Sequence, residues 1–151
     1  MKYRRNGAPG DALAPHLAGY ARKLGWRVYL VLPVPLGKQR MNERGYNQVG
    51  LVAKPLAAMQ GWRSSPQVLV RRRATRSQVG LSPLERKENI SGAFRAEPAL
   101  ADGKDILLVE GVVTTSATQA ACSEVLLNAG ARNISALTLA RALPHHGLQI
   151  V

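Results

Sequence analysis

The apolar positions of this chain fall into blocks whose spacing alternates between a helical and an extended period. Within residues 12–24, Leu13, Leu17, Tyr20 and Leu24 are separated by four, three and four positions, which places them on one face of a helix. Asp11 offers an N-cap and Gly25 an end, and Pro15 falls near the first turn, where proline is tolerated. Residues 27–34 are a near-continuous apolar run, the pattern of a strand buried on both faces of a parallel sheet. Pro33 and Pro35 close it, and a basic loop with Lys38, Arg40 and Arg44 is expected to follow. Residues 47–59 put Val49, Val52, Leu56 and Met59 on one helical face up to Gly61. Pro55 is a misfit there, costing about 3 kcal/mol unless the helix kinks. Residues 67–71 read as a second, short strand.

Residues 72–95 are polar and basic, and are expected to form a mobile functional loop. Inside it, Ser82-Pro83-Leu84-Glu85 spells a helix start, with serine at the N-cap, proline at the first position and glutamate at the third. Residues 105–109 predict a third buried strand. Residues 116–129 predict a helix with Thr118, Cys122, Val125 and Ala129 inward, closed by Gly130. Residues 133–140 predict a fourth strand, and the tail from Pro144 is expected to be loose. Strands alternating with helices predict an α/β fold, a doubly wound and mostly parallel sheet in one domain over residues 1–151. Ligands of such sheets bind beyond the carboxyl ends of the strands, which gathers the loops at 33–46, 72–95 and 110–118.

Charge sharpens this picture. The chain of 151 residues carries +12, split as +7 over residues 1–50, +6 over 51–100 and −1 over 101–151. The excess cation therefore lies in the first two thirds, where two of the three gathered loops fall. A single cysteine, Cys122, excludes an intrachain disulfide and a cysteine-rich zinc site. Cys122 reads as a buried structural thiol, with a nucleophile as the alternative. His145-His146 reads as part of a solvated tail, with metal binding as the alternative. Arg71-Arg72-Arg73 and Arg76 read either as a solvated charge run or as a grip on phosphates or nucleic acid. No apolar run reaches the roughly 18 residues of a membrane span, and the basic start lacks a continuous apolar segment after it. The expected compartment is the cytoplasm.

The segment richest in chemistry is Glu110-Gly111-Val112-Val113-Thr114-Thr115-Ser116-Ala117-Thr118. It runs from a buried strand into a helix, where free backbone N–H groups and the positive end of the helix dipole favour an anion. It lacks the lysine of a Walker A loop. An ordinary Ser/Thr-rich helix start is the other reading of these residues.

Residues 106–118 resemble the phosphoribosyl pyrophosphate motif of type I phosphoribosyltransferases: an apolar strand, two acids, two or three residues, then Thr-Gly-x-Thr. Three further segments resemble the ComF/GntX family in particular. Lys2-Tyr3-Arg4 is similar to its opening. Pro33-Val34-Pro35, followed by Arg40 and by Glu43-Arg44-Gly45-Tyr46-Asn47-Gln48, is similar to its Pro-Val-Pro and Glu-Arg-Gly-Phe-Asn-Gln. Gln78-Val79-Gly80-Leu81-Ser82, Glu85-Arg86, Asn89 and Gly92-Ala93-Phe94 resemble its flexible-loop signature.

The resemblance implies that Thr114, Thr115, Ser116, Ala117 and Thr118 hold a sugar 5-phosphate. It implies that Glu110 accepts from a ribose hydroxyl, which makes it the catalytic and Mg²⁺-side carboxylate. Pro33, Val34 and Pro35 would meet the pyrophosphate, with Lys38, Arg40 and Arg44 nearby, and Arg86 would belong to the closing loop. The implied reaction displaces pyrophosphate from C1 of ribose by a nitrogen nucleophile, with Mg²⁺ on the leaving group. Phosphoribosyl pyrophosphate, or another phosphorylated small molecule, is the implied ligand, and a homodimer is the family expectation.

Three positions depart from the motif: Glu110 keeps the charge of the family's aspartate but adds a methylene. Gly111 stands where the family has a second acid, and Ser116 stands where it has glycine, at a cost of roughly 1–2 kcal/mol if that position needs positive φ. Many family members also carry a cysteine-rich zinc module ahead of this domain, and this chain opens at about the transferase boundary. The departures favour, as an alternative, a catalytically impaired module of the same fold acting in DNA uptake or natural transformation, through single-stranded DNA or a DNA-processing partner.

Overall fold

In the computed structural model, the residues described are 8–73, 75, 79–113 and 116–141. The elements run in the order α1 (Ala8–Leu24), β1 (Leu30–Pro33), α2 (Lys38–Arg44), α3 (Gly50–Gln60), β2 (Arg63–Ser64), β3 (Leu69–Arg71), α4 (Pro83–Ile90), β4 (Phe94–Ala96), α5 (Pro98–Ala101), β5 (Asp105–Val113), α6 (Ala117–Asn128) and β6 (Asn133–Arg141). The main sheet has the order β2-β1-β5-β6 and is parallel throughout. Leu30 and Leu32 of β1 pair with Ile106 and Leu108 of β5, and Glu110 of β5 pairs with Thr138 of β6.

The near-continuous apolar strands are apolar because both faces are covered. Leu30, Leu32, Ile106 and Leu108 pack on one face with Cys122 and Leu126 of α6, Ile90 of α4 and Phe94 of β4. The intervening residues Val31, Leu107 and Val109 pack on the other face with Ala14 and Ala18 of α1 and Ala53, Leu56 and Ala57 of α3. The expected doubly wound parallel sheet is thus what the chain forms, and its alternation fixes the two faces of β5 from Ile106 to Gly111.

Several elements differ from the sequence expectation. The buried face of α1 is Ala14, Ala18 and Ala21, not the predicted leucine stripe; Tyr20 and Leu24 are exposed. Small residues win there because α1 lies close against α3, where Gln60 Nε2 donates to the Ala18 carbonyl at 3.0 Å. On α3, Ala53 and Ala57 join Val52 and Leu56 in the core, and Met59 faces solvent. The expected basic loop after β1 is instead the short helix α2, bounded by Gly37 and by Gly45 in the left-handed region. The predicted strand at 67–71 is a 3₁₀ turn followed by β3. That strand pairs antiparallel with β4 in a separate two-stranded ribbon, outside the main sheet.

Strand β5 runs past the predicted end at residue 109 to Val113, so Glu110 and Gly111 lie on the strand and not in the loop. Within residues 72–95 the expected helix start is present. Ser82 and Glu85 form a reciprocal capping box, with Glu85 N to Ser82 Oγ at 3.2 Å and Ser82 N to Glu85 Oε2 at 2.7 Å. The loose tail expected from Pro144 lies outside the described residues.

The far end of the sheet is pinned by charge. Asp105 is buried and takes hydrogen bonds from Arg132 Nε and Asn133 Nδ2, both at 2.9 Å. These donors hold its carboxyl down to about 2. Gly130 closes α6 with a φ of 98°, and a Cβ there would run into the Asp102 side chain, so this turn requires glycine. Among the described residues, no helix is long and apolar enough to cross a membrane.

Candidate functional site

The strand order reverses between β1 and β5. From β1 the chain winds outward to β2 through α2 and α3, and from β5 it winds the opposite way to β6 through α6. α3 and α6 cover opposite faces of the sheet, so β1 and β5 mark its switch point, with a crevice expected at their carboxyl ends. This switch point is where doubly wound sheets bind ligands.

The β1 wall is the turn after Pro33. Val34 N donates to the Val109 carbonyl at 2.9 Å, which ties the turn to β5. Asn47 Nδ2 donates to the Val34 carbonyl at 3.0 Å, while Asn47 Oδ1 accepts from Val49 N at 3.1 Å. One side chain thus holds both the turn and the start of α3. Lys38 is exposed at the head of α2. Arg44 is exposed and donates to Gln48 Oε1 at 2.9 Å. Gln39 and Arg40 belong to α2, but the side chain of Arg40 lies outside the description.

Arg71 extends this wall. Its guanidinium lies 5.0 Å from the Phe94 ring centroid and donates to Thr75 Oγ1 at 2.7 Å. A Cβ built on Gly37 would lie 3.8 Å from Arg71 Cδ and Nη1, so the end of β3 reaches the turn that leads into α2. Arg73 instead donates to the Asn89 carbonyl at 2.8 Å, at the end of α4. Arg86 is half-buried on α4.

The β5–α6 wall carries the candidate phosphate cradle. Thr114 and Thr115 lie outside the described residues. Ser116 has φ 61° and ψ 10°, and it is the sole non-glycine residue with positive φ among the described residues. The glycine-type backbone expected from the motif is therefore kept while the residue is serine, at roughly 1–2 kcal/mol. Ala117 and Thr118, both half-buried, open the twelve-residue helix α6.

Glu110 continues the face of Ile106 and Leu108, toward α6. Burial pushes its carboxyl up to about 7, against a hydrogen bond from the Gln119 side chain. Its Oε2 is buried with no hydrogen-bond partner among the described residues. Gln119 in turn donates to Thr138 Oγ1 at 2.7 Å. Cys122 lies close by, fully buried; burial first, and the Glu110 charge second, push its thiol up to about 12. That is a structural thiol and not a nucleophile. Gly111 points to the opposite face, toward Val49 of the α3 side.

A protein-held Mg²⁺ does not fit these residues. Among the described residues, no group of three or more His, Cys, Asp or Glu side chains stands together. Glu110 offers one carboxylate, and it is turned beneath α6.

Of the residues expected at the site, Pro33 and Val34 meet β5 at the switch point, Pro35 follows them in the turn, and Ser116 caps α6, which Ala117 and Thr118 begin. Asn47, Arg71 and Gln119 were not assigned roles from sequence. Asn47 carried a usable signal, since asparagine favours bonding the backbone two residues on. Arg71 carried none beyond membership of a charge run.

The fold and the switch-point site define a protein of the type I phosphoribosyltransferase fold. The chain overlays adenine phosphoribosyltransferase of Thermoanaerobacter pseudethanolicus with a TM-score of 0.59 at 14% identity, over 91% of this chain and 70% of that one. It overlays the glutamine phosphoribosylpyrophosphate amidotransferase of B. subtilis with a TM-score of 0.58 at 16% identity, over 88% of this chain and 26% of that one. No protein-family model matches the chain.

Its sequence relatives are the ComF-type competence and DNA-utilization proteins, so the resemblance read in the sequence holds. The chain is 38% identical over 113 residues to DNA utilization protein YhgH of Salmonella typhi, covering 75% of this chain and 49% of that protein. It is 33% identical over 118 residues to competence protein F of Haemophilus influenzae, covering 74% of this chain and 50% of that protein. The chain spans about half the length of the curated relatives it matches.

Proposed function

We propose that this chain is a phosphate-recognising module that binds phosphoribosyl pyrophosphate at the crevice between β1 and β5 and serves DNA uptake or use. The observation that carries the reading is the switch point itself. There, the start of α6 and the braced turn after Pro33 stand at adjacent strand ends. By the family resemblance, the 5-phosphate is assigned to the backbone and hydroxyls of residues 114–118, and the pyrophosphate to the turn at residues 33–36, with Lys38, Arg40 and Arg44 as the cations assigned to it. Mg²⁺ would come with the ligand and neutralise pyrophosphate charge, since it is usually held by one or two carboxylates together with substrate phosphates.

Transfer to a nitrogen acceptor is the reaction this ligand supports, with pyrophosphate leaving from C1 and cations stabilising the departing charge. The loss of a second carboxylate at Gly111 makes that step slow. Titration calorimetry with phosphoribosyl pyrophosphate and Mg²⁺ tests the reading. Saturable heat is expected, and its absence at millimolar ligand would sink it.

A second reading is favoured by the charge distribution and by relatives named for DNA utilization and competence. Arg22 and Lys23 end α1 as exposed cations that the crevice does not use. In this reading the module binds single-stranded DNA or a DNA-processing partner, and DNA affinity falls steeply with added salt. DNA binding that is insensitive to salt would contradict it.

A further inference from the structure

The amino end of the main sheet, opposite the switch point, carries a row of cations. Arg63 opens β2, Arg27 stands three residues before β1, Lys104 directly before β5 and Arg132 directly before β6. Every strand of the sheet thus has a basic residue at or just ahead of its start. Backbone bonds tie the row together. Arg63 N donates to the Tyr29 carbonyl at 2.9 Å, Tyr29 N to the Asp105 carbonyl at 2.8 Å, and Arg132 N to the Lys104 carbonyl at 2.8 Å. The Arg27 charge is close enough to help hold the Asp105 carboxyl down. With strands about 4.8 Å apart in the order β2-β1-β5-β6, the row is about 14 Å long.

Two of these cations are ordered in advance. The Arg63 guanidinium lies 5.5 Å and the Lys104 ammonium 4.4 Å from the Tyr29 ring centroid. Such contacts hold long side chains in place and lower the entropy that binding must spend on them. The Tyr29 ring itself is 41% exposed. The acids of this end do not cancel the row. Asp105 is buried and already bonded by Arg132 and Asn133, and the Asp102 side chain lies against Gly130. Arg132 remains largely exposed beside Asp105. Among the described residues, Arg27, Arg63 and Lys104 have no carboxylate within salt-bridge distance.

We propose that the amino end of the sheet is a binding face for the backbone of a single-stranded nucleic acid, separate from the switch-point site. The inference rests on the second reading above and gives it a place in the fold. A compact anion is met by cations that converge on one point. Cations spread along a row suit a chain of phosphates instead. An exposed aromatic ring among them favours a single strand, whose unstacked bases can reach it. Arg22 and Lys23, which end α1 just ahead of Arg27, lengthen the face. Strand β5 has nine residues, so the two ends of the sheet stand about 30 Å apart and a strand bound here leaves the other end open.

The test follows the fluorescence anisotropy of a labelled oligothymidylate of about 20 nucleotides, titrated with the full chain at several salt concentrations. Arg27→Ala, Arg63→Ala and Lys104→Ala combined are expected to lower affinity at least about tenfold at low salt. They should also reduce the slope of log affinity against log salt by about two, from roughly 0.7 per phosphate contact, at an unchanged urea midpoint. Arg27→Ala and Arg63→Ala alone, both at exposed positions, should each reduce the slope by about 0.7, which decides the matter if the combined variant does not fold. DNA affinity and slope unchanged in these variants would overturn the inference and leave the DNA reading standing. Failure of the unaltered chain to bind the oligonucleotide at low salt would overturn both.

Discussion

The β1 wall of the crevice is held at each step, by Val34 to Val109 and by Asn47 to both Val34 and Val49. The β5–α6 wall is built otherwise. It has a serine forced into the left-handed region, a glycine where its motif carries an acid, and a carboxylate with one oxygen buried and unpartnered among the described residues. The first wall keeps the geometry of its motif through local hydrogen bonds. The second keeps a left-handed residue ahead of α6 but not the side chains that its motif carries. In this fold the scaffold of a site and its reading groups can therefore part company, because strand order positions the first and individual side chains supply the second.

The contrast can be broken most sharply at Asn47. Asn47→Ala leaves the Val34 carbonyl without its side-chain donor and is expected to cost about 1–3 kcal/mol, seen as a lower urea midpoint at unchanged slope. A loss of phosphate affinity should accompany it. No change in either would mean that the turn holds itself. On the other wall the sign reverses. Ser116→Gly relieves a left-handed serine and is expected to stabilise the chain by roughly 1 kcal/mol, measured as a higher melting temperature. Destabilisation there would show that the Ser116 side chain has a role that outweighs the strain.

A pH-dependent effect is expected from Glu110. Its folded carboxyl titrates at about 7 against an ordinary 4.5, so the folded state holds more protons between those values. Its contribution to stability is therefore fully favourable below pH 4.5 and is lost as pH rises through 7. Glu110→Gln should flatten the stability profile across this window, followed by urea midpoints at a series of pH values. A profile unchanged by the substitution would place the titration elsewhere. The smallest effect belongs to Arg44, an exposed residue bonded to exposed Gln48. Arg44→Ala should move stability by no more than about 0.5 kcal/mol while weakening anion binding. A large stability loss would make it part of the scaffold.

Much of the fold was legible because β1 and β5 lie in near-continuous apolar runs and the helices α3 and α6 are followed by glycines. The capping box at Ser82 was legible residue by residue. The face of α1 was not, because Leu13, Leu17, Tyr20 and Leu24 outweigh Ala14, Ala18 and Ala21 on any hydrophobic pattern. Only the close approach of α3 makes alanine the residue that fits. Strand β2 is two exposed residues with no pattern of their own. Strands β3 and β4 are three residues each, and their pairing joins positions 69 and 96, a non-local contact that local periodicity does not carry.

At the site, the motif order located the β5–α6 junction. The opposite facing of Glu110 and Gly111 became visible only once β5 was seen to run on to Val113. Arg71 needed the Phe94 ring and Gly37 beside it before it could be told from Arg72 and Arg73.

The central claim is that the two walls close on one anion. It is tested most directly by following backbone amide shifts while the full chain is titrated with inorganic phosphate. The account predicts saturable shifts concentrated at residues 34–38 and 114–119, with a common dissociation constant for both groups. Shifts confined to the exposed cations of α1, or two groups saturating at different concentrations, would contradict it.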